Sequence, residues 1–177
     1  MKKRIIALGL LWCLSAVMLQ AARVDTVLVR SAAMNKDVKV VYVLPDKAIG
    51  KQACPVVYLL HGYGGNARSW VQLKPELPQM ADEKGIIFVC PDGKNSWYWD
   101  SPENPAYRYE TFVTSELVKY TDGNYATIPD RKARAISGLS MGGHGALWSA
   151  IRHKDVFGAA GSMSGGVDIR PFPRIGK

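Results

Sequence analysis

Gly138-Leu139-Ser140-Met141-Gly142 constrains this chain more than any other stretch of it. A G-x-S-x-G run with a strand before it and a helix after it fits a sharp strand-to-helix turn. In that turn a side chain at either glycine would strike backbone, and the serine is left in a strained conformation at its apex. Ala133 to Leu139 reads as the strand and Met141 to Arg152 as the helix. Such a turn lifts a serine hydroxyl above the C-terminal edge of a sheet, within reach of loops from neighbouring strands. That placement serves nucleophilic attack, provided a base removes the hydroxyl proton.

The remaining pattern is that of an α/β chain. Val24 to Arg30 and Asp37 to Leu44 read as an antiparallel hairpin around the turn-like Ala33 to Asp37. Val56 to Leu60 and Ile86 to Cys90 are continuous apolar runs, as expected of strands buried on both faces. Ala67 to Lys84 reads as helical but broken or bent at Pro75 and Pro78. Tyr109, Phe112, Val113, Leu117 and Tyr120 share a helical face. Ala159 to Met163 suits a further strand. Alternation of strands and helices implies a mostly parallel sheet with helices on both faces and an antiparallel N-terminal hairpin.

Residues 1–22 have the layout of a secretory signal peptide: basic Lys2, Lys3 and Arg4, an uncharged run from Ile5 to Leu19, and the small Ala21 and Ala22. The run is short for a membrane span. Residues 23–177 are then one domain of a secreted or periplasmic protein, with no stable membrane insertion after cleavage. The formal charge is +8, three charges of which belong to the leader, and the other cations are scattered among acids rather than gathered as nucleic-acid binders gather them. Cys54 and Cys90 are expected at opposite ends of the sheet, as two free thiols.

His61-Gly62-Tyr63-Gly64-Gly65 follows a buried strand. Acyl transfer needs N–H donors aimed at the oxyanion of a tetrahedral intermediate. Met141 N–H, at the start of a helix, and Tyr63 N–H are the expected pair. The same turn also fits G-x-G-x-x-A, but its acid is poorly met, since Asp92 lies 28 residues past Gly64, and a dinucleotide site would leave the elbow unexplained. Trp97, Tyr98 and Trp99 present aromatic faces suited to a sugar or an aromatic acyl group, or simply cover the core beneath a long loop. His61 joins them as a candidate substrate contact; Asp92 and Asp100 read as turn residues. Of the three histidines, His144 and His153 ride the elbow helix and His61 precedes the glycine turn, so none is well aimed to serve as base, and each is expected in structural hydrogen bonds.

Leu60 to Gly65, the Trp-Tyr-Trp loop, Tyr109-Glu110-Thr111 through Leu117 and, most specifically, Ser140-Met141-Gly142-Gly143-His144-Gly145-Ala146 resemble esterases of the esterase D group. That group is similar to S-formylglutathione hydrolases, secreted feruloyl and acetyl-xylan esterases, and mycolyltransferases. The resemblance implies an α/β-hydrolase fold, Ser140 as nucleophile, Tyr63 and Met141 as oxyanion donors, and no metal or organic cofactor. It also implies an acid and a histidine on loops after two further strands, beyond the 37 residues that follow Ser140. Asp168 falls one strand early for that acid. The expectation is an exported serine esterase acting on acylated carbohydrate, represented here by a fragment whose sheet lacks its last strands. An acyltransferase using the same acyl-enzyme and a non-catalytic carbohydrate-binding remnant are the alternatives.

Overall fold

A computed structural model of the chain describes residues 22–168. The expected leader therefore lies outside the described residues, apart from Ala22. That residue already belongs to the fold: it is buried, and its N–H donates to Asp82 Oδ2 at 2.7 Å.

Six strands form one sheet in the order β1-β2-β4-β3-β5-β6. β1 (Arg23–Ser31) and β2 (Lys36–Leu44) make the expected antiparallel hairpin, its turn carrying Asn35 at φ 51°, a left-handed position asparagine tolerates. β2 continues antiparallel onto β4 (Ile87–Pro91). β4 pairs parallel with β3 (Val56–Leu60), β3 with β5 (Arg134–Leu139), and β5 with β6 (Ala159–Met163). Only β2 runs against the others.

Alternate residues of β2 enter two different cores, because successive side chains of a strand point to opposite faces. Val40, Tyr42 and Leu44 pack with Tyr58, Leu60, Val89 and Ile136, whereas Val41 and Val43 pack with Leu59, Phe88 and Cys90. Beyond the one-turn α1 (Asp46–Ile49), the second face is covered by α2 (Ser69–Leu73) and α3 (Leu77–Lys84) through Trp70, Leu77 and Ala81. The expected 67–84 helix is thus two helices. Pro78 does not bend the second but lies in its first turn, where no N–H is needed.

The first face is covered by the segment from Tyr109 and by α6 (Met141–Arg152). The former consists of α4 (Tyr109–Thr111), a π-helical stretch Phe112–Glu116, and α5 (Leu117–Asn124). Tyr109, Phe112, Val113 and Leu117 are buried as their spacing predicts. The π-helical turn widens the buried face, so Thr114 and Val118 join it while Tyr120 is only partly buried. Cys54 and Cys90 are buried free thiols. Among the described residues no helix is long and apolar enough to cross a membrane.

Candidate active site

Ser140 sits between β5 and α6 at φ 54° and ψ −115°, outside the regions a serine prefers. Such strain costs about 1–3 kcal/mol and persists only where the surroundings enforce it. Here the Ser140 N–H donates to the Met163 carbonyl of β6 at 2.8 Å, and the His144 N–H to the Ser140 carbonyl at 3.0 Å. The flanking glycines are required by contact: a methyl at Gly138 would stand 2.3 Å from Gly142 backbone, and one at Gly142 would stand 2.1 Å from the Leu60 carbonyl oxygen. Ser140 itself is exposed, and among the described residues its hydroxyl has no hydrogen-bond partner.

The 61–65 turn lies against this elbow. A methyl at Gly62 would stand 3.6 Å from Ser140 Cβ. The turn is closed by the Gly65 N–H on the Gly62 carbonyl at 3.0 Å and pinned by the Gly64 N–H on Asn95 Oδ1 at 2.8 Å. Tyr63 N–H and Met141 N–H donate to no described acceptor. Each belongs to the residue that follows one member of the Gly62–Ser140 contact. Met141 opens α6, so its N–H is one of the helix's free donors and carries the positive end of the helix dipole. Two unengaged donors beside an exposed serine are an arrangement that can hold an oxyanion.

Beneath the turn, His61 and Tyr98 are almost wholly buried, so neither presents a surface to a substrate. Of the two roles the sequence offered each of them, substrate contact and structural support, this burial favours the support. The Tyr98 hydroxyl accepts from His61 N–H at 2.9 Å and donates back to the His61 carbonyl at 3.3 Å. His61 Nε2 accepts from Gly93 N–H at 2.9 Å, which fixes the proton on Nδ1, where it is donated to the Gly62 carbonyl at 2.7 Å. Asp92 lies beside that ring, 3.7 Å from Nε2, and pairs with Lys94 at 2.8 Å. Burial pushes the Asp92 carboxyl up, but the Lys94 ammonium and backbone N–H outweigh it and hold it well below the usual carboxylate range. Asp92 also accepts the Lys94 N–H, and Asp100 the Thr111 N–H and hydroxyl, as turn and capping residues do.

The other histidines are likewise engaged away from Ser140. His144 Nδ1 bonds the Gly166 carbonyl at 2.8 Å, and its ring is enclosed by Trp97, Trp99 and Trp148 at centroid distances of 5.4, 5.1 and 6.1 Å. Its Nε2 and the Trp99 indole N–H are buried without a partner among the described residues. Burial lowers the His144 pKa, outweighing the Gly166 bond. His153 Nε2 meets Glu110 Oε1 at 2.9 Å. Trp97 and Trp99 remain half-buried over His144, combining the cover and surface roles that the sequence offered as alternatives.

Sequence reasoning missed two supports. Glu110 is a buried carboxylate that accepts from Trp148 Nε1 and Arg152 Nε, each at 2.8 Å, besides His153, and so ties α4 to the far end of α6. Asn95 holds the glycine turn from 31 residues away. Neither contact leaves a local spacing signal. No cluster of three or more metal-ligating side chains exists among the described residues. Asp168 follows β6 as the last described residue.

Comparison with known proteins agrees with this geometry. The chain is 27% identical over 155 residues to an acetyl esterase of Caldicellulosiruptor saccharolyticus, covering 83% of this chain and 58% of that protein. It is 34% identical to the diacylglycerol acyltransferase/mycolyltransferase Ag85A of Mycobacterium gordonae, covering 82% of this chain and 43% of the relative. A solved ferulic acid esterase superposes with a TM-score of 0.72 at 30% identity, over 87% of this chain and 64% of that one. The chain shares the α/β-hydrolase fold of that solved esterase, and it spans about half the length of the curated relatives it matches. The family model described as "Putative esterase" matches residues 31–173, and the chain belongs to that family.

Proposed function

We propose that this chain carries the nucleophile and oxyanion half of a carboxylic ester hydrolase. Ser140 Oγ attacks the ester carbonyl, the Tyr63 and Met141 N–H groups receive the developing oxyanion, the alcohol leaves, and water releases the acid from the acyl-enzyme. The observation that carries this reading is the strained, exposed Ser140 set against a turn with unengaged N–H donors. The sequence holds three histidines, all bonded elsewhere, so the base and its orienting acid come from outside the described arrangement. The relatives' greater length is a source for them.

Export by the basic and apolar leader, and acylated carbohydrate as substrate, complete the proposal; the similarity to acetyl and ferulic acid esterases supports the latter. Similarity to Ag85A favours a second reading, transfer of the same acyl group to an acceptor alcohol instead of water. Product analysis with added acceptor separates the two.

The test supplies the missing base. Hydrolysis of p-nitrophenyl acetate in imidazole is compared between the chain and its Ser140→Ala variant. A rate above that of the variant, with acetyl-Ser140 recovered by mass spectrometry, is expected. Equal rates from two folded proteins count against the assignment.

A further inference from the structure

Far from the elbow, at the other end of the sheet, the backbone nitrogen of Ala22 is fixed by a carboxylate. The Ala22 N–H donates to Asp82 Oδ2 at 2.7 Å. The other oxygen of that carboxylate accepts the Asp46 N–H at 2.8 Å. Three elements therefore meet at Asp82: the start of β1, where Arg23 pairs with Leu44, the start of α1, and the last turn of α3. Ala22 itself is buried in the second core, which includes Ala81 and Phe88.

This junction is short of positive charge. Asp46 and Asp82 are both half-buried, and among the described residues no lysine or arginine pairs with either. Partial burial pushes the Asp46 carboxyl up, and the Asp82 charge adds to that. Asp46 Oδ1 is buried without a hydrogen-bond partner among the described residues. The neighbouring cations are turned to other tasks. Arg23 pairs with Asp25 at 2.7 Å, and Lys47 lies over Gly85, where an added methyl would stand 3.3 Å from its Nζ. Carboxylates left without a counter-ion are stabilised by a cation within hydrogen-bond reach.

The sequence can supply that cation at one atom. A secretory leader is cut after a small residue, and Ala21 and Ala22 are both small. A cut after Ala22 would discard a residue that the fold buries and would take the donor away from Asp82. A cut after Ala21 keeps both. It also turns the Ala22 nitrogen from an amide with one N–H into an ammonium with three, and a charged donor strengthens the bond already in place.

We infer that the leader is removed between Ala21 and Ala22, and that the α-ammonium so made pairs with Asp82 to clamp the start of β1 to α3. Water adds across the Ala21–Ala22 peptide bond; the departing leader carries the new carboxylate and the fold keeps the new ammonium. A chain that retains its leader has the hydrogen bond without the charge, so the ion pair forms only on processing. The boundary expected from the sequence moves by one residue. This inference rests on the export reading and is independent of the ester chemistry.

The 177-residue precursor is expressed in an exporting bacterial host, and the recovered protein is weighed intact and sequenced from its N-terminus. A start at Ala22, followed by Arg23 and Val24, is expected. A start at any other residue past the leader's apolar run overturns the inference and leaves export standing, whereas a leader still attached overturns both. The pairing is tested by urea denaturation of the mature chain with and without enzymatic Nα-acetylation, which keeps the N–H and removes the charge. Acetylation should lower the folding constant about fivefold at pH 7. Asp82 raises the pKa of the ammonium, so this stabilisation is full below the ordinary α-amino range of about 7.7–8.0 and is lost as pH rises through the raised value. In Asp82→Asn, acetylation should change nothing. Equal midpoints for the free and acetylated native chains, the same acetylation effect in Asp82→Asn, or an effect already gone at pH 8 overturns the pairing; the first and last of these need no variant to fold.

Discussion

Ser140 and its two glycines show how a few atoms decide a site. The strain at Ser140 was legible in the sequence because G-x-S-x-G leaves so few backbones that avoid collision, and the contacts at Gly138 and Gly142 are those collisions. Gly142→Ala would drive a methyl to 2.1 Å from the Leu60 carbonyl, against backbone that cannot swing aside. We predict a loss of about 3 kcal/mol or more in urea denaturation, at the severe end for single substitutions. The roles of Tyr98 and His61 were legible only as alternatives, substrate contact or structural support. An aromatic in a loop after a buried strand reads equally as a binding face or a strut, and the decision rests on a hydroxyl meeting a backbone 37 residues earlier. Local spacing carries no trace of such a pairing.

Strands and helices were more readable than their joints. β3 and β4 fell where apolar runs placed them, since a strand buried on both faces has to be apolar throughout, and β5 fell where the elbow motif required a strand. The π-helical turn at Phe112–Glu116 was invisible, because one widened turn barely alters the spacing of the apolar residues around it. The fastening of α4 to α6 by Glu110 was equally hidden, its partners lying 38 to 43 residues away. This carboxylate fastens the helix whose first N–H is the one proposed to receive the oxyanion. Glu110→Ala leaves the Trp148 N–H and the side chains of Arg152 and His153 without their acceptor, and should destabilise the fold by about 1–3 kcal/mol, the cost of unmaking hydrogen bonds at a buried carboxylate. Arg152→Ala, exposed over half its side chain, should cost less than 1 kcal/mol or thereabouts. Chemical denaturation of both variants checks the ordering.

The mostly parallel sheet with its antiparallel hairpin and the family were readable together, since the α/β alternation and the Ser-Met-Gly-Gly run point to one architecture, and the matched residues 31–173 take in five of its six strands. Acid stability follows from how the whole fold buries His144. Its lowered pKa means that the unfolded chain takes up a proton which the folded chain refuses. Stability is therefore full above about pH 6.5 and falls as pH drops below that value through the lowered one. Glu110, held below its ordinary value mainly by its hydrogen bonds against the opposing effect of burial, adds a second loss below about pH 4.5. Urea midpoints at pH 7.5 and 5.5 should differ for the native chain and differ less for His144→Phe. The central claim is that Ser140 has its oxyanion donors but no base among the chain's three histidines. Its most direct test is the initial rate of p-nitrophenyl acetate hydrolysis without added imidazole, for the 177-residue chain and for Ser140→Ala, both shown to be folded. The account predicts equal rates; rapid hydrolysis by the native chain that vanishes in Ser140→Ala would contradict it and make one of those histidines the base.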